Sequence, residues 1–315
     1  MKVVFWGVRG SVPTPLTNKK LRKKISAIID SIKPDDIISK TSRENFLNKL
    51  PRDFFGTVGG NTSCIEVDTV NTPLIIVDAG TGIRELSLDL EHRKRIPNEF
   101  HIFLTHFHWD HIQGLPFIQQ GYFKENSFYF YSPVKGFSNY IRNQMAEPYF
   151  PIDMDKMTAK IEFVELNDRK SSFCLGNTKI SWRKMKHPGG SYAYSFENSR
   201  NKMIFATDAE ICPLDFKRNL ENEGFFENAD LLILDSQYDE EDAIKKYNWG
   251  HTSSTMAVDF ALAWNVRKLV LFHHEPLYKD QEIHDMLMKS RQYVRECGNF
   301  SLSIDIAEEG MKIDL

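Results

Sequence analysis

Cysteine is scarce in this chain. Four occur in 315 residues, Cys64, Cys174, Cys212 and Cys297, and no two stand in a CxxC pair. That spacing argues against a cysteine-based zinc module and a disulfide-stapled scaffold, so the thiols read as reduced and mostly buried. Long apolar runs are missing too; no stretch approaches the ~18 residues of a membrane span. Met1–Gly7 reads as a first strand rather than a leader, which makes the cytoplasm the expected compartment. Cationic excess is also absent. Lys and Arg total 40 against 43 Asp and Glu, a net charge of -3. General nucleic-acid binders show a strong surplus of Lys and Arg, so a nucleic-acid partner is disfavoured. No internal repeat and no low-complexity tract appears. With 41% hydrophobic residues the chain can bury a large core.

Histidine is what stands out. Thr105-His106-Phe107-His108-Trp109-Asp110-His111 follows the apolar stretch His101–Leu104. Two His two residues apart at a strand end point the same way, because side chains alternate with period two. Asp110 and His111 then open the next turn and can face a second ion. Imidazole and carboxylate together suit Zn²⁺, Mn²⁺ or Fe.

Further strands end in residues of the same type. Leu74–Val77 runs into Asp78-Ala79-Gly80. His187 follows the strand around Lys179–Trp182, Asp208 follows Met203–Ala206, and His273-His274 follows Lys268–Phe272. Sites of this kind are carried on loops above a rigid sheet. His106, His108 and His187 suit one divalent ion. Asp110, His111 and His273 suit the other, with Asp208 bridging. His274 should face away or support the site from behind, since adjacent strand residues point to opposite sides. The remaining pattern alternates strands with helices at about 253–264 and 280–296, and Ser301–Ile304 reads as the last strand. Residues 16–50 differ: apolar positions 21, 25, 28, 29 and 32 have helical spacing beside a basic run, as in a helical insertion.

The ordered set His106-x-His108-x-Asp110-His111, His187, Asp208 and His273 resembles the metallo-β-lactamase fold superfamily. The resemblance implies an α/β (α+β) fold, a four-layer αββα sandwich formed as one domain over 1–315, with the insertion at 16–50. It implies two metal ions at one edge, Zn or Mn before Fe, and gives Asp78 the part of orienting ligands. The superfamily hosts many chemistries, so fold alone names no substrate. Trp249-Gly250-His251-Thr252-Ser253-Ser254 before a helix is similar to the His-containing motif of ribonuclease Z and of small cyclic-phosphate phosphodiesterases. In that branch the His meets the phosphate, which implies a catalytic His251 beside Asp110 in this chain.

Trp6–Pro13 with Gly59–Cys64 also resembles the cyclic-nucleotide phosphodiesterase-like hydrolases. The expected activity is hydrolysis of a small cyclic or nucleotide-like phosphodiester by metal-bound hydroxide. The rivals are a tRNA 3′-end endonuclease, a lactonase or thioesterase, and a non-catalytic sensor. Aromatic pairs Tyr122-Phe123 and Tyr149-Phe150 are candidates to stack a base, or else belong to the core or to a dimer interface. Phosphodiesterases of this branch are often dimers, so the resemblance implies a homodimer and no membrane partner.

Overall fold

In a computed structural model of the chain, residues 1–69, 72–94, 97–167, 172–298 and 300–315 are described. Their strands, in chain order, are β1 (Lys2–Gly7), β2 (Cys64–Asp68), β3 (Leu74–Val77), β4 (Glu99–Phe103), β5 (Ser127–Ser132), β6 (Lys160–Glu165) and β7 (Ser172–Leu175). They continue as β8 (Thr178–Met185), β9 (Ser191–Glu197), β10 (Lys202–Ala206), β11 (Leu231–Asp235), β12 (Lys268–Phe272), β13 (Ser303–Ile306) and β14 (Lys312–Asp314). One seven-stranded sheet has the order β14-β1-β2-β3-β4-β5-β6; the other has the order β13-β12-β11-β10-β9-β8-β7.

Alternation along each strand builds the layers. Met203 and Phe205, Leu231 and Ile233, Val270 and Phe272 meet Phe5, Ile65, Val77 and Phe103 of the other sheet in the sandwich interior. Their neighbours Ile204, Leu232, Leu234, Leu269 and Leu271 point outward and pack under Val258, Phe260, Trp264, Ile283 and Leu287. Those last residues belong to the helices Ser254–Ala263 and Asp280–Glu296, with Trp264 closing the first of them. On the opposite outer face, Ile76, Ile102, Phe128 and Phe130 pack with Ile83, Leu86 and Leu90 of the helix Gly82–His92. Both faces of each sheet are therefore covered, which is why the central strands read as continuous apolar runs. The result is the αββα sandwich.

Two expectations are corrected. Ser301–Ile304 is not the last strand: the strand is Ser303–Ile306, and β14 follows it, antiparallel to β1 with Val3 opposite Ile313. A three-residue strand with one apolar side chain has no periodicity to read. The cysteines are not mostly buried; Cys64 is, whereas Cys174 and Cys297 are exposed. The helix Asn18–Ser31 forms, but none of its residues is buried, and Ile29 is 61% exposed. Helical structure also extends past residue 50, through Arg52–Phe55. No helix of the described residues is long and apolar enough to cross a membrane.

What ties this segment down is charge. The Lys24 ammonium lies 2.9 Å from the Asp280 carboxylate, and Arg9 lies 3.5 Å from it. Asp280 also accepts from the Thr57 hydroxyl at 3.0 Å and the Val58 amide at 3.2 Å. Asp280→Ala leaves the buried Arg9 without its carboxylate, which costs about 3 kcal/mol; a smaller loss in chemical denaturation would show that the three carbonyls Arg9 also reaches hold it alone. Burial alone would raise the Asp280 carboxyl, but the Lys24 ammonium and the hydrogen bonds hold it below the ordinary carboxylate value. The wild-type contribution is therefore full above the unfolded carboxylate pKa and is lost as pH falls through the depressed folded one.

Candidate metal centre

Parallel neighbours deliver their ends together. β3 pairs parallel with β4, and β11 pairs parallel with both β10 and β12. Their C-terminal ends therefore emerge on one edge, the usual place for a site in an α/β sheet. Asp78 follows β3, His106 and His108 follow β4, Asp208 follows β10, Asp235 ends β11, and His273 follows β12. His187 comes from the end of β8. The short helix Trp109–Ile112 adds Asp110 and His111.

The two oxygens of Asp208 face two different groups. Oδ1 lies 3.7 Å from His106 Nε2 and 3.6 Å from His187 Nε2, and the latter sits 3.2 Å from His108 Nδ1. Oδ2 lies 3.0 Å from His111 Nε2 and 3.1 Å from His273 Nε2. Asp110 Oδ2 approaches the same two rings at 3.3 and 3.2 Å. His106, His108, His187 and Asp208 thus form one set of convergent donor atoms, and Asp110, His111 and His273 another. Two buried nitrogens, His106 Nε2 and His111 Nε2, have no hydrogen-bond partner among the described residues. Buried polar atoms of this kind are rare unless an ion or water satisfies them. Unsatisfied ring nitrogens in a nest of imidazole and carboxylate fit divalent transition ions.

The surrounding shell fixes these rings. Asp78 is fully buried and accepts from His111 Nδ1 at 2.7 Å, the Ser63 hydroxyl at 3.0 Å and the Thr105 amide at 2.9 Å. This leaves His111 Nε2 for the centre. His187 Nδ1 bonds the Gly250 carbonyl at 2.9 Å. Gly250 has φ +93°, and a Cβ there would stand 2.3 Å from His187 Nδ1, so only glycine lets this backbone reach the ring. His274 turns away, with Nε2 2.8 Å from the Ala307 carbonyl, and burial lowers its pKa to about 3. It buttresses the strand ends and does not enter the cluster.

Sequence reading missed Asp235. It closes Leu231–Leu234 as Asp208 closes Met203–Ala206, so the same strand-end signal was present. Its carboxylate accepts from His251 Nδ1 at 2.7 Å, the Thr252 amide at 3.0 Å and the Asp208 amide at 3.0 Å. Ser253, not His251, caps the following helix, through its hydroxyl to the Met256 amide. His251 therefore has a ring free of capping, oriented by Asp235 and stacked on His273 at 5.1 Å. Ser11 was also missed; its amide donates to Asp110 Oδ2 at 2.7 Å.

Burial and charge oppose each other across the cluster. Burial lowers His106 well below the usual imidazole value, and lowers His108 and His187 too. For His111 burial is outweighed by the Asp208, Asp110 and Asp78 carboxylates, which hold its pKa well above the ordinary value. Burial opposes charge on His251 as well, but Asp235 wins and raises it to about 9. The imidazoles around His106 are thus neutral donors, and the anionic charge sits on Asp208 and Asp110, both held well below the carboxylate range by the neighbouring His despite burial.

Backbone strain collects here. Apart from glycine, the described residues with positive φ are Ser11, Asp78, Asp208 and His273, at 60°, 60°, 50° and 65°, and the asparagines Asn228, Asn248 and Asn265. All four touch the centre, and such conformations persist only where the surroundings over-determine them.

The cluster opens into a cavity of about 430 Å³ whose lining includes His108, Asp110, His187, Asp208, His251 and His273. Tyr122, Phe123, Tyr149 and Phe150 do not line it. Tyr122 donates to the Pro116 carbonyl, and Phe150 packs edge-on against Phe117, so these aromatics are not placed to stack a bound base.

Residues 74–274 match the Beta-lactamase superfamily domain. Ribonuclease Z of Prochlorococcus marinus (strain MIT 9312) is 25% identical over 247 residues, which cover 61% of this chain and 77% of the relative. The metallo-beta-lactamase fold protein YhfI from Bacillus subtilis superposes with a TM-score of 0.64 at 18% identity, covering 99% of this chain and 98% of that one. A diphosphatase from the PhnP family gives a TM-score of 0.62 at 14% identity over 100% and 97% of the two chains. At these identities the solved structures speak to the fold alone. The matched segment runs from β3 to His274 and spans every strand end that feeds the cluster, so the chain belongs to the beta-lactamase superfamily and is a metal-dependent hydrolase.

Proposed function

We propose that the chain is a dinuclear phosphodiesterase acting on a small cyclic or nucleotide-like phosphodiester. The observation that carries this reading is the His251–Asp235 pair, hydrogen-bonded at 2.7 Å on the wall of the cavity that holds the cluster. Acyl hydrolysis by a metallo-hydrolase has no need of a second, carboxylate-oriented imidazole, whereas an alkoxide leaving from phosphorus needs a proton. Ribonuclease Z among the similar proteins supports phosphoester chemistry.

Two bound divalent ions, zinc or manganese by donor type, would supply Lewis acidity and a water that ionises near neutral pH. Asp208, Asp110 and the five imidazoles of His106, His108, His111, His187 and His273 would hold them. Asp235 fixes the His251 tautomer with the proton of Nδ1 directed at the carboxylate. Nε2 is then free to hold a proton for the leaving oxygen. The net step adds water across one P–O bond: the hydroxyl goes to phosphorus, the proton from His251 goes to the departing oxygen, and the proton that the water gives up restores His251.

The purified protein is assayed with bis(p-nitrophenyl) phosphate, a panel of cyclic nucleotides, a 3′-extended tRNA precursor and p-nitrophenyl acetate, with metal content measured on the same sample. Turnover of the small diesters at about two ions per chain is the expected result. Cleavage of the tRNA precursor alone would replace this reading with the ribonuclease Z one, and activity on the carboxylic ester alone would replace it with a lactonase or thioesterase.

A further inference from the structure

The cavity over the cluster has two unlike ends. The floor is imidazole and carboxylate. The wall nearer solvent includes Phe107, Pro188, Trp109 and Trp249. Of the five tryptophans in the chain, Trp264 and Trp182 are buried and Trp6 is partly so, whereas Trp109 is 79% and Trp249 is 61% exposed. Singly exposed apolar residues need no explanation, but two indoles on one functional cavity do.

Their backbone is fixed although their rings are free. Trp109 lies between His108 and Asp110 and starts the helix Trp109–Ile112, where its carbonyl accepts from the Gln113 amide at 2.7 Å. Trp249 sits between Asn248 and Gly250, both with positive φ, and its amide donates to the Lys246 carbonyl at 3.0 Å. Neither indole is stacked on another ring among the described residues, although the Phe107 ring packs on Phe137 and Tyr140. Large flat surfaces are thus held ready beside the centre without an internal partner.

Charge narrows the ligand further. No lysine or arginine is among the residues lining this cavity. The nearby Lys186 is tied down by Glu210 at 2.5 Å and Asn248 at 2.7 Å. Beyond the one phosphate that the centre and His251 take, the lining holds no further cationic side chain to neutralise a second. It suits an uncharged planar group and disfavours a polyanion, whose recognition relies on Arg and Lys.

We propose that Trp109 and Trp249 are the specificity-determining residues of this enzyme and bind the nucleobase of a mononucleotide diester whose phosphate rests on the His/Asp centre. This rests on the phosphodiesterase reading and adds the substrate's second half.

The test compares adenosine 3′,5′-cyclic monophosphate with the same cyclic ribose phosphate carrying a methoxy group in place of the base. Metal content of every protein is measured first. Wild type should favour the base-bearing substrate by about 5- to 150-fold, the usual worth of stacking one base on an aromatic side chain. The preference should lie in KM. Trp109→Ala and Trp249→Ala should each reduce it, the double variant should abolish most of it, and phenylalanine at either position should restore part. Independently, adenosine 5′-monophosphate should quench the tryptophan fluorescence of wild type and not of the double variant. Equal KM for the two substrates, or a preference that survives the double variant, overturns the base clamp while leaving the phosphodiesterase reading intact. If no diester is turned over, including bis(p-nitrophenyl) phosphate, the phosphodiesterase reading fails, and the quenching experiment still decides whether the indoles bind a base.

Discussion

Asp208→Ala should abolish turnover of every substrate and strip bound metal from the protein. Its two carboxylate oxygens each face a different donor set. Oδ1 turns to His106 and His187, and Oδ2 to His111 and His273, at 3.0–3.7 Å. Alanine therefore removes one donor from each set and leaves five imidazoles around a smaller negative charge. Losing several kcal/mol of transition-state charge stabilisation lowers the rate by at least about 10³-fold. Elemental analysis and activity should fall together, and they should do so equally for good and poor leaving groups. A variant that kept two ions per chain and measurable turnover would show that Asp208 does not bridge.

His251→Ala should behave in the opposite way with respect to metal. Its ring stacks on His273 and meets His187 edge-on at 5.3 Å, and Asp235 holds its Nδ1. Both ions should stay, while kcat on alkyl phosphodiesters should fall by roughly 10²–10⁴-fold, the worth of a positioned acid or base. The loss should shrink with p-nitrophenolate as leaving group, because that oxygen departs without a proton. Asp235→Asn should move activity the same way by about 10- to 100-fold, as expected when a ring loses the partner that fixes its tautomer. His251, Asp235, Asp208 and His273 also bring four donor atoms together. Metal loss from His251→Ala would therefore reassign the residue as a ligand. Unchanged kcat would make the imidazole structural and reopen the acyl-hydrolase alternatives.

Much of the site was legible in the sequence because each contributing strand carries its own marker. A run of four apolar residues leads into Asp78 and His273 directly and into Asp208 through Thr207, and the dense His106–His111 stretch needs no alignment to be noticed. Asp235 carries the same marker and was passed over because its partner, His251, lies 16 residues later in an irregular loop. A pairing across such a loop has no periodicity. The exposure of Trp109 was equally hidden. A tryptophan between His108 and Asp110 is equally consistent with core and surface until the direction of the short helix is known.

In the fold, several helices and strands with a period came through; the helix Gly82–His92, with its buried Ile83, Leu86 and Leu90, was not read, nor was β14, since a three-residue strand owes its existence to pairing with β1. The spacing of Leu21, Ile25 and Ile29 specified a helix but was silent on burial. That helix is moored by Lys24 to Asp280, a contact that only the folded chain brings together.

Ser11, Asp78, Asp208 and His273 all hold left-handed backbone at the centre, a conformation that costs an L-residue roughly 1–2 kcal/mol. This strain is stored in the polypeptide, and its release competes with function. Lineages or laboratory populations selected for heat resistance alone would drift first at these positions, toward glycine or asparagine. The catalytic edge is thus the part of the sandwich most easily worn away when nothing but durability is demanded of it.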